Sequence, residues 1–262
     1  MTTVRNPCVA GFFYPSDPKI LAATVQDLLA KAQLLDLPAP KAIITPHAGY
    51  IYSGPIAATI YKTLLPHKDL IKRVVLLGPA HKVGFNGIAA TQVSEFATPL
   101  GNIPVDLNSI NALLNLPEVK IFEDAYNMEH SLEVQLPFLQ SILNNFTLIP
   151  LVVGNAQPQD IANVLQQLWG SDETIIVISS DLSHYHDYNT AQQLDALTSQ
   201  AIVELKPENI KDNQACGRLP VKGLLLAAKQ LKLQVKALDI RNSGDTAGNK
   251  SRVVGYGAYY FV

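Results

Sequence analysis

Short, uninterrupted apolar runs alternate with amphipathic stretches along this chain. KAIIT (41–45), VVLL (74–77), FTLIPLVV (146–153) and TIIVI (174–178) show no polar alternation. That pattern predicts strands buried on both faces. Between them apolar residues return at helical spacing. Ile20, Leu21, Val25, Leu28 and Leu29 predict a helix capped at Ser16 or Asp17, with Pro18 in its first turn and its end near Leu35. Further helices are predicted after Ser53 up to Pro66, over 129–143, from Gln157 to Gly170, over about 189–205, and after Cys216. Pro137 predicts a kink or break in the 129–143 helix. Residues 82–105 carry Gly and Pro between short β-prone pieces, which predicts hairpin-like strands on the flank of the sheet. VVGYGAYYFV closes the chain as a last strand. Alternating strands and helices predict an α/β fold: a predominantly parallel or mixed central sheet with helices on both faces.

Composition narrows this picture. The 262 residues contain no repeat, low-complexity tract or linker, so a single domain over 1–262 is expected. A net charge of -2 speaks against nucleic acid as a partner, because phosphate binding needs a basic face. No apolar run reaches membrane-spanning length, and MTTVRNPCVAGFF lacks a signal-peptide core. Two cysteines, Cys8 and Cys216, make no disulfide framework. A cytoplasmic protein without membrane association is the expectation.

The candidate chemistry gathers at strand ends. His47 follows the first apolar run, His81 the second, and the cluster Ser179, Ser180, Asp181, Ser183, His184, Tyr185 and His186 the run at 174–178. Parallel strands end on one sheet edge, so these side chains can approach one another. Two imidazoles and a thiolate suffice for a transition metal with open positions. Each residue also has a plainer reading. A histidine after a strand can serve a turn, Cys8 and Cys216 can be small buried hydrophobes, and Asp181 can cap the next turn. His67 and His186 read as exposed residues. Glu129, His130 and Glu133 read as a solvated helix face.

The motifs PHAGYIYSG (46–54), LGPAH (77–81), EHSLEVQLPFL (129–139), SSDLSHY (179–185) and ACGR (215–218), with SGDTAG and VVGYGAYYF at the end, resemble in this order the Memo family (mediator of ErbB2-driven cell motility). Its prokaryotic members are called AmmeMemoRadiSam system protein B. The family is similar in fold to the class III extradiol dioxygenases, which hold non-haem iron with two histidines and a glutamate. The resemblance implies His47, His81 and Cys216 as metal ligands, with Fe(II) first and copper or zinc as alternatives. It implies His184 as an acid/base residue beside Asp181, and His130 as a residue lining the same pocket, to which Tyr50 and Tyr52 are candidates. The cysteine departs from the dioxygenase carboxylate and changes the electronic setting of the ion. Three functions follow as expectations: a dioxygenase-like redox enzyme on a small-molecule substrate, a binding module for a phosphotyrosine-type or other anionic peptide, and a zinc hydrolase using His184 or Glu133 as base. A functional link to AMMECR1-like and radical SAM proteins is also implied.

Overall fold

The computed structural model describes residues 2–262. In chain order the elements are β1 (Val4–Arg5), α1 (Pro18–Lys31), β2 (Ala42–Thr45), α2 (Tyr50–Tyr61), β3 (Arg73–Pro79), β4 (Ile88–Ala90), β5 (Glu95–Thr98), β6 (Gly101–Pro104), α3 (Leu107–Leu113), β7 (Val119–Ile121), α4 (Leu136–Ile142), β8 (Thr147–Val153), α5 (Pro158–Leu168), β9 (Thr174–Ser179), β10 (His184–His186), α6 (Tyr188–Val203), α7 (Arg218–Gln230), β11 (Val235–Asn242) and β12 (Val253–Phe261). This is the expected α/β architecture, with a mixed sheet. Nine strands form the main sheet in the order β10-β12-β2-β9-β3-β8-β4-β7, and β11 also pairs with β12.

The centre of the sheet is parallel. β2 pairs with β9, β9 with β3, and β3 with β8. Every residue of β2 and β9 is buried. That is why their sequences are continuously apolar: α1, α2 and α4 pack together in one helical layer, while α5 and α7 pack on each other with α7 over β3 and β9. Thr45 lies opposite Ser179, and Ile178 lies opposite Leu77. The three strands therefore end side by side, and the residues that follow them share one edge. β12 runs antiparallel to β2, so its beginning, near Val253, returns to that edge.

Three stretches differ from their sequence expectation. Residues 129–143 do not form one helix. A 3-10 turn at Glu133–Gln135 precedes the short α4, and Pro137 falls in the first turn of α4. Proline has no amide proton, and the first helical turn is where none is needed. Helix α2 starts at Tyr50, before Ser53, with Gly49 at its cap. The predicted flank of 82–105 is divided: β4 joins the main sheet beside β8, whereas β5 and β6 form a hairpin in a separate sheet with β1. Among the described residues no helix is long and apolar enough to cross a membrane.

Candidate metal centre

His47 leaves the end of β2 completely buried, and its ring is oriented by a fixed chain of hydrogen bonds. Gln135 Nε2 donates to the carbonyl of Pro46 at 2.9 Å, and Gln135 Oε1 accepts from the Tyr61 hydroxyl at 3.0 Å. A carbonyl can only accept, so the amide orientation is set. The same Nε2 donates to Ser179 Oγ at 2.8 Å, and Ser179 Oγ gives its one proton to the carbonyl of Ser131 at 2.6 Å. Ser179 Oγ lies 2.8 Å from His47 Nδ1 and has no proton left for it. His47 Nδ1 therefore carries the hydrogen, and Nε2 presents a lone pair.

His81 is oriented by a carboxylate. Glu129 accepts from the His81 amide at 2.6 Å, from His81 Nδ1 at 2.9 Å and from the Ser131 amide at 2.8 Å. Burial works to raise the Glu129 pKa, but the His81 ring and the two amides outweigh it and hold it at about 2. The carboxylate is thus an anion and His81 Nδ1 the donor, so the tautomer it selects directs Nε2 toward the other donors.

Cys216 completes the group just before α7. Its Sγ lies 3.2 Å from His47 Nε2 and 3.7 Å from the carbonyl of Asp181. Because Nε2 is an acceptor, the thiol donates to it. Burial, with the nearby Asp181 carboxylate, pushes the thiol pKa up, while burial and the neighbouring histidines push His47 well below its ordinary value. Thiol and imidazole are therefore both neutral, an arrangement unlike the thiolate–imidazolium pair of a cysteine nucleophile. One donor atom from each of His47, His81 and Cys216 lies within 4.8 Å of the other two. Two tautomer-locked imidazole lone pairs facing one thiol match the N/S chemistry of a transition-metal site, and a dication there would favour the thiolate that burial disfavours. The expected ligand residues are thus together, and they fit an ion.

A second donor group shares His81: His81, Glu129 and His130. Its composition is two histidines and a carboxylate. Glu129 already accepts three N–H donors, two of them from His81, so its main visible role is to orient His81.

A cavity of about 690 Å³ opens onto the group, lined also by His130, His184, Asp181, Tyr52, Phe13 and Arg252. His130 stacks on His81 with ring centroids 4.5 Å apart and touches the Phe13 ring at 4.7 Å. Burial, then the neighbouring His81, lowers its pKa to about 4. Burial also lowers that of His184. Asp181 bridges two strand ends, since its Oδ1 accepts the His47 amide at 2.7 Å. Burial pushes its pKa up to about 7 against the opposing amides of His47 and Ala48.

Three expectations need correction. Tyr50 does not line the cavity. It is buried against Phe138, with ring centroids 5.0 Å apart, and its hydroxyl donates to the Val134 carbonyl at 2.8 Å. Glu133 is no base candidate: its carboxylate is buried away from the cavity and receives Arg5 Nη1, the amides of Cys8 and Val9 and the Tyr14 hydroxyl, at 2.7–3.0 Å. Glu129 and Glu133 are not a solvated face, being 2% and 0% exposed. Sequence reasoning missed Gln135 and the orienting roles of Ser179 and Glu129. Their only signal was a buried-type polar residue inside a motif. Phe13 and Arg252 were also missed, because they reach the cavity from the two ends of the chain.

The chain matches the family described as "Memo-like protein" over residues 5–260. It is 36% identical over 270 residues to a "MEMO1 family protein" of Aquifex aeolicus, covering 99% of both chains. A "MEMO1 family protein" of Nitrosopumilus maritimus is 33% identical over 277 residues, covering 99% of this chain and 100% of that one. A third, from Sulfolobus acidocaldarius, is 34% identical over 278 residues, covering 97% of each. Motif order, fold and full-length similarity agree, and the chain belongs to the Memo family.

Proposed function

We propose that His47, His81 and Cys216 hold one transition-metal ion, Fe(II) in the first place, and that the protein is a redox enzyme of dioxygenase-like architecture acting on a small molecule. The observation that carries this reading is the pair of locked tautomers. Ser179 and Glu129 turn the Nε2 lone pairs of His47 and His81 toward the space that the Cys216 thiol also faces. Such an ion would supply a Lewis-acidic redox centre with positions open to O₂ or substrate. The remaining work falls to the chain. His184, neutral at physiological pH because burial lowers its pKa, accepts a proton from a substrate in the cavity. His130, also neutral, presents an unprotonated ring beside it. Asp181 keeps the His47 loop in place through the His47 amide. Phe13 and Tyr52 provide apolar walls that limit water.

Metal analysis of protein purified without oxygen tests this. About one ion per chain is expected for the wild type, and a large loss for Cys216→Ala. Equal content in both removes Cys216 from the ligand set. Arg252 at the cavity wall favours a second reading, recognition of an anionic, phosphotyrosine-type peptide. Tight phosphopeptide binding by protein that takes up no metal would select it. Zinc as the bound metal would support a hydrolase, with His184 as base.

A further inference from the structure

A second cavity, of about 470 Å³, is also lined by Cys216. It opens between the ends of β3 and β8 and the start of α7, and Cys216 lines both cavities. Its polar side-chain lining is Arg218, Asn86 and Asn155, and among the described residues no carboxylate lines it. Phe85, Val153 and Pro220 form the apolar part. The walls are preformed: backbone bonds from Asn155 to Phe85, Gly87 to Asn155 and Gly154 to Gly87 tie the 85–87 loop to the end of β8 at 2.8–3.0 Å.

The charge of this cavity is unbalanced. Arg218 bonds to Asp212 through Nε at 3.0 Å, leaving both terminal nitrogens without a hydrogen bond to the described residues. The Arg218 side chain is 32% exposed while that of Asp212 is 89% exposed. So exposed a partner is strongly screened by water and neutralises the guanidinium weakly. The Asn86 carbonyl oxygen accepts from Asn155 at 3.1 Å, which leaves the Asn86 amide hydrogens free. A planar fork of N–H donors with an amide donor nearby, in a cavity without acidic groups, suits a carboxylate or phosphate.

From this juxtaposition we infer that the Arg218–Asn86 cavity is a subsite for the carboxylate or phosphate of a small molecule, which it seats beside Cys216. The subsite exists with or without an ion at His47 and His81. A second reactant, or the anionic end of the substrate, is thereby brought next to Cys216 from a cavity other than the main one.

Calorimetric titration of the metal-free full-length protein with inorganic phosphate, and separately with acetate, tests the subsite. Binding of at least one of the two is expected, and whichever binds identifies the headgroup. Arg218→Ala is expected to weaken it at least tenfold, and Asn86→Ala several-fold, while Lys31→Ala, at the exposed end of α1, leaves it unchanged. Circular dichroism checks that the variants fold, and Arg218→Gln serves if the alanine variant does not. Absence of binding by both anions overturns the subsite. So does binding that survives Arg218→Ala but is lost in Arg252→Ala, which would place the anion in the main cavity. Since no arm uses metal, failure here leaves the metal proposal standing, and the reverse also holds.

Discussion

Ser179 Oγ stands 2.8 Å from His47 Nδ1 and accepts its hydrogen, because its own proton is held by the Ser131 carbonyl at 2.6 Å. The hydroxyl is thus a tautomer lock on the proposed ligand rather than a reactive group. Ser179→Ala removes the lock and leaves the chain's buried strand intact. Metal affinity is expected to fall by roughly 10–100-fold, the usual consequence of losing a residue that orients a ligand. Competition with a chromophoric chelator measures it, and an unchanged affinity would sever Ser179 from the site.

His130 separates the two donor groups that share His81. If the ion sits on His47, His81 and Cys216, His130→Ala leaves one ion per chain. If it sits on His81, Glu129 and His130, the same substitution removes it. Glu129→Gln is expected to weaken binding by roughly 10–100-fold through the loss of His81 orientation. Metal content and chelator competition on the two variants give the answer.

Proton release should accompany metal uptake. The Cys216 thiol, its pKa raised by burial, is protonated near neutral pH and must lose its proton to bind an ion. His47, its pKa lowered by burial, is already neutral and loses none. At pH values below the thiol pKa, affinity is therefore expected to rise by about tenfold per pH unit. Asp181, raised to about 7, can add part of a proton near neutrality, so the count is best taken well above pH 7. One proton per ion in weak buffer for the wild type, and none for Cys216→Ala, is the expected result.

Glu133 governs stability rather than chemistry. Burial would raise its pKa, but Arg5, the Cys8 and Val9 amides and the Tyr14 hydroxyl together hold it below the ordinary value. A depressed carboxylate contributes stability that is present above its unfolded pKa and lost as pH falls through the folded one. Acid destabilisation is thus expected to set in below the ordinary glutamate value of 4.5. Glu133→Ala strands the buried Arg5 and is expected to cost about 3–5 kcal/mol in urea unfolding. It should also free Phe13 from His130, since Glu133 holds Val9 and Tyr14 on either side of Phe13.

The sequence made the scaffold legible where one physical signal dominated. Continuous apolar runs marked β2, β3, β8 and β9, and the residues just after them were bound to share an edge once those strands were parallel. His47, His81 and the Asp181–His184 junction followed from that alone, whereas Cys216 required the family resemblance. Side-chain direction was less legible. Tyr50 and Tyr52 sit about 200° apart around the first turn of α2, so one enters the core and the other the cavity. Their spacing could not say which until the helix start was known. Reading Glu133 beside His130 presupposed a helix that the 3-10 turn and Pro137 replace. The ties from Glu133 to Arg5, and from Ser179 to Gln135, join residues far apart in the chain, where no local pattern reports them.

X-ray absorption at the metal edge of the loaded protein tests the ligand set most directly. Two nitrogen donors at about 2.0–2.1 Å and one sulfur at about 2.3 Å are expected for a zinc-loaded sample, with the sulfur shell absent in Cys216→Ala. A shell of nitrogen and oxygen alone in the wild type, unaltered by that substitution, would contradict the His47–His81–Cys216 centre.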